Sequence, residues 1–158
     1  MVVHAPFGGR VTAPLGMALA QRVREGLGES TPFEIQTLTT DDGILLRLPP
    51  LAGTPPLDAV RGLSYDEAER RVLDEVGTSS LFGARFRMNA ARALLLPRGN
   101  PRRRMPLWLQ RLKALDLLQA VQDHPSFPIL VETYRDVLQD AFDMAALREV
   151  LDLSLIHI

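Results

Sequence analysis

An Asp42-Gly43 pair set between two alternating runs constrains this chain more than any other local feature. In PFEIQTLTTDDGILLRLPP, Phe33, Ile35 and Thr37 alternate with Glu34, Gln36 and Leu38, and Ile44, Leu46 and Leu48 resume the period after the Asp-Gly. A period of two puts alternate side chains on one face of a strand, and Asp-Gly tolerates the backbone angles of a tight turn. The stretch therefore predicts two antiparallel strands joined as a hairpin. Upstream, Val2 and Val3 read as the end of a strand, with Pro6, Gly8 and Gly9 as the turn that leaves it. So little chain precedes Val2 that this strand is expected to begin inside the sheet of a larger protein. Val11, Leu15, Ala18 and Leu19 recur at helical spacing, with Thr12 as the expected cap, Pro14 in the first turn and Gly28 as the stop. Residues 1–50 thus predict a β-α-β-β unit, a helix laid on a small antiparallel sheet.

Residues 51–62, rich in proline, read as a linker loop, and beyond them the apolar period becomes helical. Ser64 begins a capping box in which Glu67 reaches back, and that helix is expected to stop at Gly77. A second helix, from Ser79 to Leu96, carries Leu81, Ala84, Met88, Ala91 and Leu95 as its expected buried stripe. A third, from Leu107 to Gln122, would turn Trp108, Leu112, Leu115 and Leu118 inward. Ser126 is the expected cap of a fourth helix with Leu130, Tyr134, Val137, Leu138 and Ala141 facing the core. Asp143 caps a fifth, with Phe142 stapled against Leu147. The fold class is α+β: a small β-α-β-β unit followed, over residues 63–152, by a bundle of about five helices. Residues 153–158 read as a non-native tail, because Ser154 to Ile158 resemble a translated sequencing adapter, the alternative being a C-terminal strand.

Charge separates the chain more sharply than its overall balance of −1 indicates. From Gly77 to Leu115 there is no Asp or Glu, while Arg85, Arg87, Arg92, Arg98, Arg102, Arg103, Arg104, Arg111 and Lys113 supply half of the 18 basic residues. A local positive field of this kind holds a polyanion, and nucleic acid fits it best. Arginine supplies 17 of the 18 bases, and its planar fork grips phosphate and stacks on bases in ways lysine cannot. At helical spacing Arg85, Asn89 and Arg92 share one narrow face, which makes them candidate phosphate contacts. Arg98 and Arg102 to Arg104 form a basic loop beside that face. The competing expectation is that these arginines pair with acidic helices at Asp66 to Glu75 and Glu132 to Asp152. Trp108 follows the loop; its spacing with Leu112 and Leu115 favours a core position, and stacking on an unpaired base is the other reading.

Other chemistry finds little support. No GxxxxGK string followed by Ser or Thr occurs, so Gly8-Gly9 reads as a turn rather than a phosphate loop. His4, His124 and His157 lack ligand spacing, and Asp41-Asp42 read as turn formers. With no cysteine there is no thiolate chemistry, which fits a cytoplasmic protein, and no apolar run is long enough to span a bilayer, so no membrane partner is expected.

The ordered set VVHAPFGGRV, TTDDGILLRLP, SSLFGARFRMNAARALLLPR, PLWLQRLKALDLL and FPILVETYRDVLQDAFDMAAL resembles the large helicase-related family. It is most similar to the DEAD/H-associated region that follows the motor and winged-helix domains there. The resemblance implies a parent ATP-dependent superfamily-2 helicase working on single-stranded DNA or RNA–DNA hybrids. ATP and magnesium would be held by RecA-like domains upstream of Val2, and this region needs no cofactor of its own. An accessory, strand-guiding role is what the resemblance implies here. Arg10, in the PFGGR turn, joins the candidate contacts because glycines let backbone and guanidinium approach a phosphate closely. The RecA-like and winged-helix domains are the implied protein partners.

Overall fold

The computed structural model describes residues 1–27, 35–48, 57–97 and 105–154. The chain divides into two compact units, Met1–Glu75 with Ala141–Ile158, and Val76–Asp140. The division does not fall in the proline-rich stretch. It falls at the end of a helix, and the last helix belongs with the sheet.

In the first unit, β1 (Val2–His4), α1 (Gly9–Leu27), β2 (Gln36–Thr40) and β3 (Gly43–Arg47) give the expected β-α-β-β order. The sheet is antiparallel with strand order β1-β3-β2, pairing Val3 with Ile44 and Thr39 with Ile44 across the central strand. Ile44 and Leu46 are fully buried on the face that takes the helix, so the alternation was read on the correct side. The hairpin turn sits one residue earlier than Asp42-Gly43. Thr40 pairs with Gly43, which leaves Asp41-Asp42 as the two-residue loop and Gly43 inside β3. Phe33, Glu34 and the Gly28 stop lie outside the described residues.

Thr12 is not the cap of α1. The helix starts three residues sooner, and the cap comes from the hairpin: the Asp41 carboxylate accepts the Gly9 N–H at 2.7 Å. Gly8, at φ +82°, makes the turn into the helix and donates its N–H to the Asp41 carbonyl. Thr12 is buried and donates its hydroxyl to the Thr40 carbonyl, tying helix to sheet. A 3-10 turn, Leu57–Ala59, leads to α2 (Tyr65–Val76), where the Ser64 hydroxyl caps the Glu67 N–H at 3.3 Å. The Glu67 carboxylate is taken by Arg71 and Arg22 rather than turned back as a capping box. α6 (Met144–Ser154) is capped by Asp143, whose carboxylate accepts the Ala146 N–H, with Phe142 and Leu147 both buried as a staple requires. It runs through the start of the supposed tail, whose residues 155–158 lie outside the description.

The second unit contains α3 (Ser80–Arg92), α4 (Leu107–Val121) and α5 (Pro128–Arg135), the last continuing into a π-helical turn, Asp136–Ala141. Ser79 caps α3 through the Phe82 N–H. The buried face of α3 is Phe82, Phe86, Asn89 and Ala90, not the Leu81–Ala84–Met88–Ala91–Leu95 stripe. Phe82 stacks on Tyr134 at 4.6 Å between ring centres, and such a ring buries far more area than alanine on the rival face. α4 buries only Ala114 and Val121; Leu112, Leu115 and Trp108 are exposed, and Leu118 is half-buried. α5 opens on Phe127 and Pro128 rather than on a Ser126 cap, and turns Leu130, Thr133 and Val137 inward.

α3 also ends sooner than expected, in a left-handed turn. The Leu95 N–H bonds back to the Ala90 carbonyl and the Leu94 N–H to Ala91, with Leu94 at φ +60°. This is a Schellman ending with a leucine where glycine normally stands. A left-handed leucine costs about 1–2 kcal/mol, and Leu94 is 63% exposed, so its side chain returns little of that. Leu94→Gly should stabilise the chain by about 1 kcal/mol in denaturant unfolding. An unchanged or lowered midpoint would contradict this account of the turn. Among the described residues no helix is long and apolar enough to cross a membrane.

Candidate nucleic-acid interface

The charge contrast coincides with the division of the chain. Residues 76–140 hold ten bases against five acids, a net of +5, while the rest holds eight bases against fourteen acids, a net of −6. The basic unit is helical throughout its described elements; α3 and α4 carry five of its described cations and α5 carries Arg135.

The expected Arg85–Asn89–Arg92 face does not exist as one surface. Arg92 is exposed in the last turn of α3 and Arg85 is half-buried. Asn89 is 6% exposed and points inward. Its amide donates to the Asp136 carboxylate at 2.8 Å and to the Thr133 hydroxyl at 3.3 Å. Thr133 in turn donates to the Ile129 carbonyl at 2.7 Å. Asn89 is thus an interior brace between α3 and α5, and its candidacy as a phosphate ligand is withdrawn.

Arg10 lies in the other unit. Its guanidinium donates to the Phe142 carbonyl at 3.4 Å and its own carbonyl accepts the Asp143 N–H, so it joins the start of α1 to the cap of α6. It is nevertheless exposed. Arg98 and Arg102 to Arg104 lie outside the described residues. Trp108 is 66% exposed, which overturns its expected core position and leaves its ring available.

The face that the structure assembles instead runs along the α3–α4 pair. One groove of about 440 Å³ is lined by Ser80, Gly83, Ala84 and Arg87 from α3 and by Arg111, Ala114, Leu115 and Leu118 from α4. A second, of about 410 Å³, shares Arg87 and adds Lys113. Arg87, Arg111 and Lys113 were members of the acid-free stretch but were not singled out. The available signal was spacing: Ser80, Gly83, Ala84 and Arg87 fall on one helical face whose small residues leave room beside the guanidinium.

None of Arg85, Arg87, Arg92, Arg111 or Lys113 forms an ion pair among the described residues. The ion pairs found there use Arg22, Arg24, Arg71 and Arg135, the first three joining α1 to α2. Within the second unit, then, none of these five cations is paired with a described acid. Cations left without an acid partner on described helices suit a phosphate chain.

The model of the family described as DEAD/H associated matches residues 1–154. This chain belongs to the DEAD/H associated family. The DEAD/H associated region here is 44% identical over 151 residues to the Lhr helicase/probable uracil glycosylase of Mycolicibacterium smegmatis, covering 96% of this chain and 10% of that protein. Against the Lhr helicase/uracil glycosylase of Escherichia coli it is 40% identical over 151 residues, again 96% of this chain and 10% of the relative. The chain thus spans about a tenth of the length of these two relatives. In three dimensions it matches the structure of Mycobacterium smegmatis helicase Lhr bound to ssDNA and AMP-PNP, with a TM-score of 0.82 at 44% identity. That match covers 96% of this chain and 18% of the other. The resemblance to the large helicase-related family is borne out, in its DEAD/H-associated region.

Proposed function

We propose that this DEAD/H associated region grips and guides a nucleic-acid strand within an ATP-dependent superfamily-2 helicase of the Lhr type. The observation that carries the reading is the set of five cations on α3 and α4 without ion-pair partners. That a structurally similar helicase has been solved with single-stranded DNA supports the choice of polyanion. In this reading ATP and magnesium belong to RecA-like domains of the parent protein, which supply the chemistry. The present region supplies friction and direction to a single DNA strand or to the displaced part of an RNA–DNA hybrid. Arg92 belongs with Arg85 and Arg87 on α3, Arg98 and Arg102 to Arg104 join the candidate contacts on sequence charge alone, and Arg10 is a separate candidate in the first unit.

A second reading has its own observation. Leu107, Leu112 and Leu115 are exposed along α4, and such a surface fits docking against a motor or winged-helix domain. Salt dependence separates the two. In the intact helicase, Arg87→Ala combined with Arg111→Ala should weaken single-strand binding. It should also flatten the plot of log affinity against log salt by about 1.4, or about 0.7 for each phosphate contact removed. An unaltered slope would sink the nucleic-acid reading of this groove and favour docking.

A further inference from the structure

We infer that the groove between α3 and α4 is a seat for an unpaired base, with Trp108 as the stacking platform at its edge. The inference rests on the nucleic-acid reading above and goes beyond it, from phosphate contact to recognition of the base itself. Two features of the groove are superfluous for phosphate binding alone. Its α3 side is made of Gly83 and Ala84, and a Cβ built on Gly83 meets nothing within 4 Å, so the space beside the helix is open. Its α4 side is apolar, from Leu115 and Leu118. Phosphate would be held by the guanidiniums of Arg87 and Arg111, whereas an apolar trough suits the flat face of a heterocycle.

Trp108 does not line the groove itself but is placed beside it by the period of α4. Arg111 and Leu115, both lining the groove, are three and seven residues beyond it on α4, so the three side chains share one flank of the helix. An indole exposed on that flank, one turn from a guanidinium, offers a stacking surface beside a phosphate grip. Bases in a duplex are already stacked on their neighbours and cannot present these faces. The site therefore selects single strands over duplex, and does so by a term that salt does not screen.

The test uses the intact helicase with two probes, an oligothymidylate and an abasic phosphodiester strand of equal length. Trp108→Ala should weaken oligothymidylate binding at least about 5-fold, equally at low and high salt, and leave the abasic strand unaffected. Gly83→Leu should do the same by filling the groove, and removing a mid-helix glycine favours the fold. A Trp108→Ala loss that is equal on both strands, or absent on both, overturns the base seat. The arginine reading then still stands if Arg87→Ala with Arg111→Ala flattens the salt slope. If that slope is unaltered, the nucleic-acid reading itself falls, whatever Trp108 does.

Discussion

Gly43→Ala is expected to lower stability by about 2–4 kcal/mol, although it adds one methyl group at the first residue after the hairpin loop. A Cβ at Gly43 would collide with the carbonyl oxygen of Val3 on the neighbouring strand. The obstacle is backbone, not the end of a flexible side chain, so relief requires β1 to move away from β3. That movement breaks the bonds holding the strand. Beyond the ladder that pairs Val2–His4 with Gly43–Leu45, these include the Ala5 N–H to the Asp42 carbonyl at 3.0 Å, the Leu46 N–H to the Met1 carbonyl at 2.9 Å, and the amino terminus to the Leu46 carbonyl at 2.8 Å. Each contributes about 0.5–1.5 kcal/mol net, and buried Ala5 is uncovered with them. Denaturant unfolding of Gly43→Ala, with Thr37→Ala on the exposed edge strand as control, measures this. A loss below about 1 kcal/mol would show that β1 can shift without cost and that its pairing is not what holds Gly43.

The same glycine shows how much of this fold was legible. The alternating runs determine two strands and the face that each buries, because a period of two is a geometric fact about strands. They do not say which two residues bridge them. Asp42-Gly43 is the stronger turn pair in isolation, yet Asp41-Asp42 bridges because Asp41 then caps α1 and Gly43 can lie against Val3. Both reasons lie in β1 and α1, far away in sequence. On α3 two stripes one residue out of phase compete. The stripe with more apolar residues, from Leu81 to Leu95, loses to the one with Phe82 and Phe86, since area buried rather than number of apolar positions decides. On α4 leucines occur all round, so spacing alone could not identify the packed side. Ala114 and Val121 mark it, since small side chains let two helices approach closely.

The site divides along similar lines. A charge-polarised segment could be read directly, because composition survives any error of orientation. Which cations stay unpaired could not. That depends on where the acids fold: Glu25 reaches Arg71 and Glu67 reaches Arg22 only after α1 and α2 are side by side. Trp108 was misplaced for the reason that governs all of α4. An apolar residue at helical spacing is buried only if something packs on that flank.

Asn89→Ala is expected to cost about 2–4 kcal/mol in stability while leaving single-strand binding unaltered. The amide of Asn89 is the link between α3 and two groups on α5 and its π-helical extension, the Thr133 hydroxyl and the Asp136 carboxylate. Truncation removes a bond to a charged acceptor, worth about 1.5–3 kcal/mol, and one to a neutral hydroxyl, worth about 1 kcal/mol. Asp136 is half-buried, so water recovers part of the first but not all of it. In the Asn89→Ala background, a further Asp136→Ala change should cost little, because the carboxylate has already lost its partner. Asn89→Asp should be worse than alanine, since it sets two carboxylates against each other. The two roles considered for this residue give opposite results. A phosphate contact from this neutral amide would weaken single-strand binding and spare stability, whereas an interior brace lowers stability and spares binding. The 6% exposure of Asn89 and its inward hydrogen bonds favour the second outcome. A stable variant with weakened single-strand binding would return Asn89 to the nucleic-acid surface and, with it, the single helical face shared with Arg85 and Arg92.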